Sequence, residues 1–177
     1  FDGALFATAL RSPDSVVQQY AIRALGRIGD PAAVPLLAVY LAAPDSTYDA
    51  EAAFALGLIR DTSAAAPIIG WLSGPQKIGQ DGALEAATAL CRIGGPTAAA
   101  FVARALGTSG SDLKMPDVAA FQQQLLGDAW RLGRRAPIGA LIDAAGPDRP
   151  IAVRYAAAHS LVRLHPATAS ITPYQLA

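Results

Sequence analysis

Ala24-Leu25-Gly26-Arg27-Ile28-Gly29 is rewritten along the chain. It returns as Ala55-Leu56-Gly57-Leu58-Ile59-Arg60 and as Ala89-Leu90-Cys91-Arg92-Ile93-Gly94. Looser copies are Asp128-Ala129-Trp130-Arg131-Leu132-Gly133 and Ser160-Leu161-Val162-Arg163-Leu164-His165. With the last large apolar residue of each copy as a zero mark (Ile28, Ile59, Ile93, Leu132, Leu164), successive marks lie 31, 34, 39 and 32 residues apart. Self-similarity at a period in the thirties is the signature of a stacked repeat array. Such an array offers a binding surface without naming what is bound.

Counting back from each mark, apolar or small residues recur at −7 (Ala21, Ala52, Ala86, Leu125, Ala157) and at −3 (Leu25, Leu56, Leu90, Ala129, Leu161). Position −11 is usually apolar as well, in Val17, Tyr48, Phe121 and Val153. These offsets trace one face of a 3.6-residue period. They predict first helices near 14–28, 47–60, 80–93, 117–133 and 150–164. Each is followed by a corner such as Gly29-Asp30-Pro31, in which glycine tolerates the left-handed conformation, aspartate caps and proline suits the first helical position. Second helices align as Val34-Pro35-Leu36-Leu37, Ala66-Pro67-Ile68-Ile69, Ala99-Ala100-Phe101-Val102 and Ala136-Pro137-Ile138-Gly139. Hairpins this short cannot each bury a face alone, so neighbours must share one continuous core. Alanine at −4 (Ala24, Ala55, Ala89) lets adjacent helices approach closely.

The 177 residues are enough to bury about 70% of the unfolded surface. Hydrophobic residues make up 53% and charged residues 16%, which is not the composition of a disordered tail. Fourteen Lys and Arg balance fourteen Asp and Glu, which removes the footprint expected of a nucleic-acid binder or an anionic membrane surface. No apolar run is long enough to insert into a membrane. Cys91 is the sole cysteine, so no internal disulfide is possible, and the compartment stays unknown.

The run from Val16 to Leu41 resembles the HEAT-like repeats of the phycobilisome-lyase type, through Ala21, Ala24, Leu25, Gly26, Ile28, Gly29, Asp30, Ala33, Val34, Pro35 and Leu37. The second copy is similar at Ala52, Ala55, Leu56, Gly57, Ile59, Asp61, Ala65, Ala66, Pro67 and Ile69; the third departs with Cys91 and Gly95, and the last two are weaker. The resemblance implies an all-α, right-handed HEAT-like α-solenoid of stacked antiparallel helix pairs, about ten helices in all. The expected division is a half-repeat 1–12, repeats 13–43, 44–74, 75–107 and 108–146, and a partial repeat 147–177. The half-repeats suggest a fragment of a longer chain. The order of the repeat segments also resembles the HEAT-repeat region of some bacterial cyclophilin-type peptidyl-prolyl isomerases, whose chemistry belongs to a separate β-barrel. On that likeness the chain would dock clients and not isomerise them.

Two insertions break the period, Ser73 to Gln80 and Thr108 to Pro116; they carry the two lysines, Lys77 and Lys114, and read as solvated loops. Three sets of side chains are candidates for function. Aligned on Pro35, the second helices bring Val39, Trp71, Arg104 and Leu141 to one position, and Arg104 implies that it reaches solvent. If second helices line the concave side, these four form an amphipathic strip for a protein or peptide partner. The residue before each zero mark reads Arg27, Leu58, Arg92, Arg131 and Arg163, an interrupted arginine edge extended by Arg134 and Arg135. Its ordinary role is to offset the helix dipole; its functional role would be an acidic or phosphate-bearing partner. Glu51 and Glu85, the only glutamates, share position −8, which polar and apolar residues fill elsewhere, so they mark a surface position. His159 and His165 lie six apart and Cys91 two repeats away, too few and too scattered for a metal site. No phosphate loop or dinucleotide fingerprint appears, and no cofactor is expected. A HEAT-fold DNA glycosylase is disfavoured by the neutral charge, and a chromophore lyase by the lack of a chromophore-facing polar cluster. The expectation is a non-catalytic scaffold that binds a protein partner.

Overall fold

The computed structural model describes residues 2–41, 48–75, 78–107, 113 and 115–164. Lys77, Lys114, His165 and the rest of the last partial repeat lie outside them, as does most of the second insertion. Among the described residues there are ten α-helices and no strand. They are α1 (Gly3–Leu10), α2 (Ser15–Ile28), α3 (Val34–Leu41), α4 (Asp49–Ile59), α5 (Ala65–Ser73), α6 (Gln80–Ile93), α7 (Gly95–Gly107), α8 (Val118–Asp128), α9 (Ile138–Ala144) and α10 (Ile151–Leu164). The fold is an all-α solenoid in which α2, α4, α6, α8 and α10 form one layer and α3, α5, α7 and α9 the other. First helices pack against one another more extensively than second helices do.

The corners follow from the residues placed there. Gly29 ends α2 at φ +73°, in the left-handed region, and its N–H reaches Leu25 O at 3.2 Å. The Asp30 carboxylate accepts from Ala32 N–H at 2.9 Å. Pro31 then opens a 3-10 turn over Pro31–Ala33 before α3 begins. That turn accommodates Pro35. Proline has no N–H to offer the preceding turn, and Val34 N–H takes Pro31 O in the tighter pattern instead. Thr62–Ala64 repeats the solution before Pro67, with Asp61 as the cap. There Arg60 occupies the left-handed position at φ +58°, the one non-glycine residue with positive φ among the described residues.

One register holds the first helices together. A Cβ added to Gly26 would stand 2.7 Å from Ala55 Cα, and one added to Gly57 would stand 2.8 Å from Ala89 Cα. Position −2 of the first two repeats therefore presses against position −4 of the next, backbone to backbone. The consequence is a core running continuously from Leu10 to Ala136. A smaller cluster built on Leu126, Ala129, Leu141, Ala144, Ala145 and Ala157 adjoins it through half-buried Leu106, Ile138 and Leu164.

The fourth first helix departs from the expected span of 117–133. It stops at Asp128 and continues as 3-10 turns over Ala129–Arg135, with Gly133 at φ +56°. The cause is a side chain inserted into the helical ladder. Ser160 Oγ donates to Leu126 O and accepts from Trp130 N–H at 3.3 Å, the two groups an unbroken helix would join to each other. Trp130 holds the −2 position that glycine holds in the first two repeats, and it is only half-buried, not sealed in the core. The first insertion is not a free loop either: Ile78 is buried, and Gly79 N–H donates to Asp49 at 3.3 Å.

The close register makes a paired prediction. Gly57→Val should cost about 1–3 kcal/mol by overpacking against backbone. Gly70→Ala, on an exposed helical site with open space around it, should gain about 0.5–1 kcal/mol. Urea unfolding of both variants checks this, and a Gly57→Val as stable as the parent would refute the register. Burial also pushes the Cys91 thiol far above its usual range. Iodoacetamide at neutral pH should therefore modify it at least about a thousandfold more slowly in the native state than in urea. Native labelling at the peptide rate would show that α6 does not pack in this way.

Candidate interaction surface

The second-helix strip does not form. Val39 and Arg104 are exposed, but Trp71 keeps only 4% of its surface in water and Leu141 none. The reason lies in where the aligned prolines fall. Pro35 is the second residue of α3 and Pro67 the third of α5, whereas Pro137 only caps α9. Each residue of offset turns a side chain by about 100°, so one sequence position faces solvent in α3 and the core in α5 and α9. Trp71 packs within the main core and Leu141 within the smaller cluster.

The recesses described here open on the first-helix side. A groove of ≈ 310 Å³ is lined by Arg23 and Arg27 of α2, Ala50, Glu51 and Phe54 of α4, and Glu85 of α6. A second, of ≈ 460 Å³, runs over Leu84 of α6, Gln123, Gln124 and Gly127 of α8, and Tyr155 and His159 of α10. Both use positions −9, −8 and −5, the helix face left over once −7 and −3 have turned inward. Tyr155 is 78% exposed. Glu51 and Glu85 do come to one groove. Glu51 accepts from Gln19 and pairs with Arg23 at 3.4 Å, so it ties α2 to α4. Burial raises the pKa of Glu85, opposed by Arg92 and reinforced by Asp128, Asp81 and Glu51.

Asp128 is a hub that the repeat alignment passes over. It accepts from Thr88 Oγ1 at 2.8 Å, Gln124 Nε2 at 3.0 Å and Arg131 Nε at 2.9 Å, joining α6, α8 and the 3-10 segment. The only hint in the sequence is a carboxylate where alanine stands in three other copies.

The arginine edge is divided in its use. Arg92 lies over Phe54 with its guanidinium carbon 5.6 Å from the ring centroid. Arg131 and Arg163 lie over Trp130 at 4.5 and 4.7 Å. Arg27, Arg134, Arg135 and Arg163 are exposed. Arg92 Nη1 and Trp130 Nε1 are buried without an acceptor. An unsatisfied donor costs about 1–3 kcal/mol, more for a charged group. His159 is exposed on α10, and among the described residues no group of three or more His, Cys, Asp or Glu is placed to hold a metal ion. No helix among them is long and apolar enough to cross a membrane.

Comparison with known proteins agrees with this architecture. No curated protein matches the sequence. The family model for HEAT repeats matches residues 4–86. The chain is also similar to a solved structure, that of the complex of CpcE and CpcF of phycocyanin lyase from Nostoc sp. PCC7120, with a TM-score of 0.66 and 23% identity. The match covers 94% of this chain and 66% of the other. At that identity the likeness speaks to the fold. The match to HEAT repeats thus spans residues 4–86, and the described residues form an all-α solenoid of stacked helix pairs.

Proposed function

We propose that this chain is a non-catalytic scaffold that takes a protein partner on its first-helix face. The observation that carries the reading is the pair of grooves side by side on that face, sharing α6 as their common wall. The Gly26–Ala55 and Gly57–Ala89 contacts draw the first helices together, and second helices pack less extensively. On this reading the partner sits on the first-helix side, and not on the second-helix strip expected from the sequence. The grooves present Phe54, Tyr155 and Arg27 at their walls, and Tyr and Arg are of the kind that anchor protein interfaces. Two of their three carboxylates are spent on structure, Glu51 on Gln19 and Arg23 and Asp128 on Thr88, Gln124 and Arg131, which fits a rigid docking platform. The solved neighbour is a complex of two subunits, in keeping with a protein partner.

Affinity capture from source-cell extract tests this with two matched variants. Arg27→Ala with Tyr155→Ala alters both grooves; Val39→Ala with Arg104→Ala alters the exposed second-helix side. The groove variant should lose its specific partner by about tenfold or more, while the second-helix variant retains it and all proteins melt alike. Loss confined to the second-helix variant would refute the reading.

A further inference from the structure

We propose that the arginine row at the C-terminal ends of the first helices binds the carboxylates of an acidic segment of the partner protein, with Arg92 as the anchor. The proposal rests on the first-helix reading above and specifies the chemistry of the partner. Arg27, Arg92 and Arg163 occupy the last turns of α2, α6 and α10, and Arg131 the matching place in the 3-10 segment. An arginine that serves only to offset a helix dipole extends into water. Three members of this row do otherwise, lying over Phe54 or Trp130. Stacking engages the flat face of the guanidinium and leaves its in-plane N–H donors free to fork onto a carboxylate.

The use made of those donors separates the row. Arg131 gives Nε to Asp128, an internal carboxylate that shows what the geometry accepts. Arg92 makes no such hydrogen bond: Glu85 is near enough to feel its charge, yet Arg92 Nη1 is buried without an acceptor. The residue as a whole is only half-buried, so a carboxylate that draws the guanidinium outward would satisfy a donor that has no acceptor in the free protein. Arg27 lies in the neighbouring groove wall beside Phe54, and Arg134, Arg135 and Arg163 continue the positive charge at the other end. Charge along the chain runs the same way. Residues 89–177 hold nine of the fourteen cationic side chains and five of the fourteen acidic ones, a local excess that the overall neutrality conceals.

The test uses the 177-residue chain and a fluorescein-labelled deca-glutamate peptide, followed by fluorescence anisotropy at low and at physiological salt. Saturable binding that weakens with salt is expected, with Arg92→Gln weakening it about tenfold. Arg92→Lys, which keeps the charge but not the fork, should fall between the two. Arg104→Gln, a cation on the second-helix side, should change binding less than about twofold. The variants are compared only where their melting temperatures match the parent's. Absence of saturable binding, parent-like binding by Arg92→Gln, or tighter binding of a ten-nucleotide single-stranded DNA would each overturn the proposal. Capture of the partner by the same variants keeps the two readings apart. If groove substitutions abolish capture while Arg92→Gln leaves it intact, the acidic-segment proposal fails and the first-helix reading stands.

Discussion

Everything in this solenoid depends on how closely its first helices approach one another. At Gly26 and Gly57 the neighbouring helix sits where a side chain would begin, with Ala55 Cα and Ala89 Cα under 3 Å from a notional Cβ. Glycine in the middle of a helix costs about 0.5–1 kcal/mol against alanine. The chain accepts that cost twice because it lets two helix backbones touch, and the apolar rows at −7 and −3 then close over the contact. The continuity of the core follows from this spacing.

The later interfaces keep the register and change the chemistry. Where the third repeat meets the fourth, Cys91 and Asp128 stand in for glycine and alanine, and the added bulk is accommodated by a hydrogen-bonded hub at the carboxylate. Where the fourth meets the fifth, Trp130 and Ser160 take those places. There the Ser160 hydroxyl enters the helical ladder and bridges the broken link, and the half-buried indole lies against Arg131 and Arg163. The loosening of the repeat motif toward the C-terminus thus has a physical consequence. The backbone contact weakens, and polar and aromatic groups reach the surface of the array.

The candidate surface was legible in part. The −1 arginines and the −8 glutamates could be read from the alignment, because the first helices keep one register and their outward positions recur. The second-helix strip failed because its alignment rested on prolines that occupy different places in α3, α5 and α9. Nor does any residue type signal that Arg92 lies over Phe54, that its Nη1 is buried without an acceptor, or that Asp128 joins three partners. Those facts depend on distances across repeats.

By itself the sequence determined the repeat period, the helix pairs, the −7 and −3 rows of the shared core and the glycine–aspartate–proline corners, since all of these are local or periodic and follow from dihedral preference and burial of an apolar stripe, whereas Val17 and Ile28, read onto the same stripe, are exposed. Tertiary structure alone decided which layer is the tighter one, where the grooves open, and which polar side chains are satisfied. Those properties arise between helices some thirty residues apart in the chain. There a difference of one methyl group at Gly26 or Gly57, or one hydroxyl at Ser160, decides whether two backbones meet or separate.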